Sequence, residues 1–327
     1  MKPFRKIIGV VAAMLGIAGA GLLAADPVPP PDALAVARAR AAFIKKMSWH
    51  RPNVRSTVTA PASSAGVTGG VSYNWSGFAD AEGGSNRISS VSAEWAIPES
   101  QCPGAPYQYQ DTLNTQWVGI DGFANATVEQ LGTAVQCFEG VEYYYVWYEM
   151  FPAGTVEEGT QACINRNIDC PQPGDRIAAS VTATPAGNYT LSLIDFSHPA
   201  SSFTVTASCP PSTCADSSAE WIIERPQYGL PYGVQYTPLT NFSQATFSNG
   251  TLTSGGKTTT IENFKDGAVY NLVMVDDTDS YWLDCVGQQN FGFGGGGPKV
   301  LLTSNPNSCP TVSPYHGSFN VTWDSSF

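Results

Sequence analysis

TQWVGIDGFANATVEQLGTAVQCFEGVEYYYVWYEMFP, residues 115–152, decides the fold class. Two runs of strand character flank a turn-rich stretch, and the second alternates with a period of two. Tyr143, Tyr145, Trp147, Glu149 and Phe151 fall on one face of a strand; Glu142, Tyr144, Val146, Tyr148 and Met150 fall on the other. One face therefore carries four aromatic rings and a carboxylate. A lone Glu is expensive to bury, so this face reads as the floor of a groove that grips an extended substrate.

The same alternation recurs outward from this stretch. Val91, Ala93, Trp95 and Ile97 alternate with Ser92, Glu94 and Ala96. Further strands are predicted at 114–121, 126–131, 142–151, 176–184, 188–195, 201–207, 218–224, 244–248, 258–262, 268–275 and 318–323. AGN, SNG, KDG and SGG mark turns between them. No helix-period segment of useful length follows residue 70, and no fixed-period repeat is present. The prediction is an all-β chain, a two-layer antiparallel β-sandwich of jelly-roll type.

Composition agrees. Hydrophobic residues make up 43% of the 327, enough for a packed core, and charged residues only 13%, about half the usual share. Residues 1–60 hold nine of the 16 Lys and Arg but two of the 27 Asp and Glu, leaving a net charge of −18 on residues 61–327. Such a body repels nucleic acid and anionic membranes. It suits acid surroundings, where protonation of carboxylates relieves self-repulsion.

Domain organisation follows from the first seventy residues. Lys2, Arg5 and Lys6 precede an apolar run from Ile7 to Leu23 and small residues at Ala24 and Ala25, the pattern of a signal peptide over 1–25. A membrane anchor is the competing reading, but the run is rich in Gly and Ala and short for a span. Residues 26–68 read as a basic pro-segment and linker, with a helix predicted over Asp32–Met47. The sandwich is assigned to 69–327. Secretion, a monomeric state and no membrane contact after signal removal are expected.

Eight cysteines behind a signal peptide read as disulfides. Spacing does not decide connectivity; sequential pairing is taken, Cys102–Cys137, Cys163–Cys170, Cys209–Cys214 and Cys285–Cys309. No cofactor or metal is expected, since CxxC pairs are missing and the body holds only His198 and His316. The three histidines read as structural. VDDTDS at 275–280 reads as a solvated acidic turn rather than a calcium loop, and FGFGGGG at 291–297 as a flexible loop. No GxSxG, HExxH or Asp-Thr-Gly motif is present. Carboxylates and amides on strand faces remain. In SAEWIIE at 218–224, Glu220 and Glu224 share a face roughly 13 Å apart, too far to act on one bond.

With these pieces in place, the chain resembles the glutamic peptidases, the eqolisin or G1 family of acid endopeptidases, in the style of its bacterial members. The matching pieces are NWSGF at 74–78, VSAEWAIP at 91–98, WVGIDG at 117–122, TVEQLGT at 127–133, WYEMFP at 147–152 and SAEWIIE at 218–224. The resemblance covers about 71–327. It implies a sandwich of two seven-stranded sheets and a catalytic Gln/Glu dyad, which it places at Gln130 and Glu224. Glu129 points to the other strand face and is not the match. Trp117, Asp121 and Glu149 carry over as substrate-binding residues of the cleft. Phe151 stands where fungal members have Tyr, and Ala134 and Tyr145 stand where they have Asp, so the acid network around the dyad is thinner. The implied partners are protein or peptide substrates and the chain's own pro-segment as inhibitor. Two readings compete: a jelly-roll glycoside hydrolase using Glu149 and Glu224, with Gln130 remote, and a non-catalytic sugar-binding sandwich.

Overall fold

The computed structural model describes residues 67–158 and 170–275, apart from short gaps at 83–85, 105–109, 124, 186, 210–213, 231–232 and 243, together with 47–48, 54–56, 300–303 and 319–323. The expected signal peptide, the expected Asp32–Met47 helix except its last residue, Met47, which instead begins β1, and the acidic and glycine-rich runs after residue 275 lie outside the described residues. Strands dominate. β1 (Met47–Ser48), β2 (Val54–Ser56), β3 (Val67–Ser72), β4 (Trp75–Glu82) and β5 (Ile88–Ala96) come first. β6 (Thr112–Ile120), β7 (Val128–Phe138), β8 (Val141–Phe151) and β9 (Thr155–Glu158) follow, then β10 (Arg176–Ala183), β11 (Asn188–Asp195) and β12 (Phe203–Ser208). β13 (Ser218–Glu224), β14 (Gln227–Leu230), β15 (Gly233–Tyr236), β16 (Gln244–Ser254) and β17 (Lys257–Thr260) precede β18 (Gly267–Val275), β19 (Val300–Thr303) and β20 (Phe319–Trp323). Among the described residues the only helical pieces are two 3-10 turns, and no helix is long and apolar enough to cross a membrane.

Two sheets face each other. The front sheet runs β9-β8-β7-β6-β13-β4-β18-β3-β2. The back sheet runs β12-β11-β10-β5-β16, with β17 and β20 on the far side of β16. β19 pairs with both β18 and β20 and joins the sheets at one edge. All these pairings are antiparallel except β3 with β18. The front sheet therefore exceeds the seven strands that the resemblance implies, because β3 and β2 extend its edge.

The sequence explains the joints. The β7–β8 hairpin turns on Glu139 and Gly140, at φ 52° and 76°. Two positive φ values match the right-handed twist of the flanking strands, and glycine takes the second without strain. β16 is longer than predicted. SNG reads as a turn in sequence, but here the register slips between Ser248 and Thr251, Asn249 takes φ 53°, and the strand continues past the bulge. Asn tolerates that conformation better than most residues.

Between the sheets lies the main core, with Phe78, Trp95, Val118, Leu131, Trp221, Ile223 and Phe247. Buried indole N–H groups need acceptors, and two of them cross the sandwich. Trp95 Nε1 donates to Thr133 Oγ1 at 3.0 Å, and Trp221 Nε1 donates to the Ser92 carbonyl at 3.0 Å. The expected Cys102–Cys137 and Cys209–Cys214 disulfides are formed. Cys170 is also disulfide-bonded; Cys163 and the Cys285–Cys309 pair lie outside the described residues.

Candidate active site

Registers on the front sheet align three rows of side chains on the face away from the core. Trp75, Glu224, Thr115, Ala134 and Tyr145 make the first row. Ile222, Trp117, Gly132 and Trp147 make the second, and Glu220, Gly119, Gln130, Glu149 and Thr155 the third. Trp75, Trp117, Ala134, Tyr145 and Trp147 form one apolar cluster on this face, with Phe151 packed against it. The alternation of β8 thus sorts its side chains as the sequence predicts. Among the described residues these side chains do not line an open, wet groove: Gln130 is 1% exposed, and Trp117, Glu149 and Glu224 are 0% exposed.

Glu224 ends β13 with its carboxylate held at both oxygens. Trp117 Nε1 donates to Oε2 at 2.9 Å, and Asn74 Nδ2 donates to Oε1 at 3.0 Å. Asn74 is itself aimed: Ser72 Oγ donates to its Oδ1 at 3.1 Å, which turns the amide nitrogen toward Glu224. Trp75 meets Trp117 edge-on, ring centroids 4.9 Å apart at 79°, a favoured aromatic geometry that fixes the indole carrying the donor. Sequence reading did not single out Asn74 or Ser72. The signal was there in the NWSGF motif, but nothing local says which carboxylate its amide meets.

Gln130 belongs to the second pair. Its Nε2 donates to Glu149 Oε2 at 2.8 Å, and Thr155 Oγ1 donates to the other Glu149 oxygen at 3.3 Å. The isolated Glu of the aromatic strand therefore has an amide and a hydroxyl to bond. No hydrogen bond joins Gln130 to Glu224; they stand two strands and four register steps apart on one face, about 13 Å along the strands alone, with Trp117 between them, so in this arrangement the two do not meet on one bond. Gly119 makes room for that ring. A Cβ there would lie 2.9 Å from Trp117 Cζ3 and 3.1 Å from Gln130 Cβ, closer than carbon atoms pack.

Asp121 lies apart from both pairs. It takes φ 70°, and its carboxylate accepts the amides of Ala215, Asp216 and Ser217 at 2.7–2.8 Å, the Ser217 hydroxyl at 3.0 Å and Asn125 Nδ2 at 2.6 Å. A buried carboxylate with five donors is committed to its own loop. It positions the segment leading into β13. Asp121→Ala is expected to leave three half-buried amides without an acceptor, at the low end of about 1–3 kcal/mol each. Urea denaturation should show a loss of about 3–5 kcal/mol, with KM of the folded variant unchanged. Unchanged stability with a raised KM would return Asp121 to substrate contact.

Three further carboxyls are buried in this sheet. Asp80 and Glu220 have no hydrogen-bond partner for either oxygen among the described residues. Burial raises both well above the ordinary carboxyl range, aided at Asp80 by the charge of Glu262 and at Glu220 by Asp121, Glu129 and Asp80, while the nearby Ser218 hydroxyl acts the other way. Glu129, on the core face of β7, is pushed up to about 10 by burial and then by the charge of Asp121. Its Oε1 sits 3.1 Å from Cys214 Sγ. That sulfur is in a disulfide and has no proton, so the hydrogen in this contact belongs to a neutral Glu129.

Comparison with known proteins follows from this geometry. The model of the Peptidase A4 family matches residues 73–284. No curated protein sequence matches the chain. Among solved structures, scytalido-glutamic peptidase with a transition state analog inhibitor aligns with a TM-score of 0.55 at 20% identity, covering 77% of this chain and 98% of that one. SCP-B, described as a member of the eqolisin family in complex with the tripeptide Ala-Ile-His, aligns at 0.47 and 18% identity over 77% and 98% of the two chains. Aspergilloglutamic peptidase from Aspergillus niger aligns at 0.45 and 22% identity over 65% and 99%. At such identities the likeness speaks for the fold, and the first of them matches the two-sheet sandwich described above.

Proposed function

The chain belongs to the Peptidase A4 family and is a peptide-bond hydrolase; from that premise we propose that it is a secreted acid endopeptidase acting through Gln130 and Glu224, which substrate binding must uncover and draw onto one bond, since both are buried and separated here. The observation that carries this reading is the pair of N–H donors, Trp117 Nε1 and Asn74 Nδ2, that orient the Glu224 carboxylate on the face where Gln130 presents its amide. Ionised Glu224 takes a proton from a water molecule, and the water oxygen attacks the scissile carbonyl carbon. The carbonyl oxygen gains the negative charge. Gln130 Nε2 has two hydrogens; one is held by Glu149, and the second donates to this oxyanion. Glu224 then passes its proton to the leaving nitrogen, the C–N bond breaks, and the carboxylate is restored.

Both groups suit acid. An amide does not titrate, and a Glu with a reference pKa of about 4.3 is still a base where imidazole, at about 6.5, is protonated. The glycosidase and sugar-binding readings give way to the family assignment; Gln130, remote in the glycosidase reading, is bonded to Glu149. Incubation with denatured casein between pH 3 and 6 tests the reading. New α-amino groups are expected in that range, and their absence at every pH would overturn it.

The pro-segment acts as an inhibitor in the same proposal. Its supports are the basic charge of residues 1–60 on an acidic body and the antiparallel pairing of Met47–Ser48 with Gln227 and Tyr228, only a few residues beyond Glu224. Added in trans to processed enzyme near neutral pH, a 26–68 peptide is expected to inhibit, and salt should weaken it by screening. No inhibition, or inhibition indifferent to salt, would count against this.

A further inference from the structure

The back sheet carries a cluster that peptide hydrolysis does not use. Asp175 stands just ahead of β10, Asp195 ends β11, and His198 lies in the turn that follows. One donor atom from each lies within 4.8 Å of the other two. His198 Nδ1 is 2.6 Å from Asp175 Oδ2. Asp195 Oδ1 accepts the amides of Ser197 and His198, at 2.9 and 2.8 Å, which folds the turn back so that the imidazole meets Asp175. The second oxygen, Asp195 Oδ2, is buried without a hydrogen-bond partner among the described residues, on a residue 1% exposed. A buried carboxylate oxygen without a donor is costly. The neighbouring guanidinium does not supply one: Arg176 Nη2 bonds Glu94 Oε2 at 2.7 Å, and its carbon lies over the Phe196 ring.

We propose that Asp175, Asp195 and His198 bind one divalent first-row cation, and that the cation staples the start of β10 to the β11–β12 turn. One imidazole nitrogen with two carboxylate oxygens is a donor set for zinc or manganese rather than for calcium. The cation takes the place of the proton between His198 Nδ1 and Asp175 Oδ2. Those two atoms need to part only to about 3 Å, the spacing of neighbouring donors each about 2.1 Å from one metal. His198 is 36% exposed in its side chain, so the site opens to solvent and water fills the remaining positions. It belongs to the sheet that lacks Gln130 and Glu224, so occupancy stabilises the fold and does not enter the reaction. The inference stands whether or not the dyad does.

The test uses the full chain, freed of metal with EDTA, at pH 6.5. Zinc chloride titrated calorimetrically is expected to bind with one equivalent at micromolar or tighter affinity. At a hundred times that dissociation constant the melting temperature should rise by about 5 °C. Asp195→Asn, which keeps the shape, and His198→Gln should each lose the equivalent and the shift while casein digestion in acid is retained. No saturable equivalent, an adventitious ion only at millimolar zinc, or an equivalent that persists in both variants would overturn the proposal.

Discussion

Glu224→Gln is expected to lower kcat on a peptide substrate by about 10³–10⁴-fold, because the same carboxyl takes the proton from water and returns it to the leaving amine. Gln130→Ala should lose about 10²–10³-fold, the usual effect of removing one oxyanion donor. In both variants KM should change little, since each group works in the transition state and not in ground-state binding. Single-turnover cleavage of a chromogenic peptide near pH 4, with melting temperature as the control for folding, measures this. Glu149→Gln serves as the comparison. Glu149 only orients the Gln130 amide in this scheme, so its loss should be about tenfold. If Glu149→Gln is the inactive variant and Glu224→Gln retains turnover, the base is the carboxylate 2.8 Å from Gln130, and the proposed dyad is wrong.

Raising the pH from acid toward neutral should steadily weaken the fold. Asp80, Glu129 and Glu220 are all held above the ordinary carboxyl range, Glu129 at about 10. Above about pH 4.5 the unfolded chain releases these protons, while the folded chain keeps them until its own raised values are reached. The folded state then binds more protons, and stability falls as pH rises. The contribution is complete below the unfolded carboxyl values and is lost through the raised folded ones. Each such carboxyl removes at most about 1.4 kcal/mol per pH unit. Urea midpoints from pH 3 to 8 should be highest at the acid end and decline steadily. Glu220→Gln should flatten the decline by one proton's worth of slope. A midpoint that is level or rising between pH 5 and 8 would refute the assignment of neutral carboxyls to this sheet.

Much of the fold was legible because alternation bounded by turn residues is a strong local signal. β11 and β13 occupy the predicted 188–195 and 218–224. β16 was cut short because Ser-Asn-Gly has the same composition in a bulge as in a turn; only the partner strand tells them apart. β14 and β15 are not legible because QYGLPYGVQY reads as punctuation, and the partner that β14 finds in β1 comes from distant chain. At the site, the odd Glu149 could be found from one strand alone, since a carboxylate among aromatics demands a partner. Its pairing with Gln130, and that of Glu224 with Trp117, could not. Those depend on register across β6, β7, β8 and β13, which hairpin geometry sets, and on Gly119, whose missing Cβ leaves space. The five donors around Asp121 are hidden for the opposite reason: Asp before Gly in a turn looks the same whether it faces a ligand or its own backbone.

Asn74 has one last consequence. Asn74-Trp75-Ser76 is an acceptor sequence for N-linked glycans, and a eukaryotic secretory host attaches such sugars to surface-accessible nascent chain. In the folded molecule this side chain is 0% exposed and bonded to Glu224, so a sugar on its nitrogen and a finished site exclude each other. Recombinant production therefore belongs in a bacterium, or in yeast with Ser76→Ala, which removes the acceptor at the loss of one hydroxyl bond to the Leu272 carbonyl.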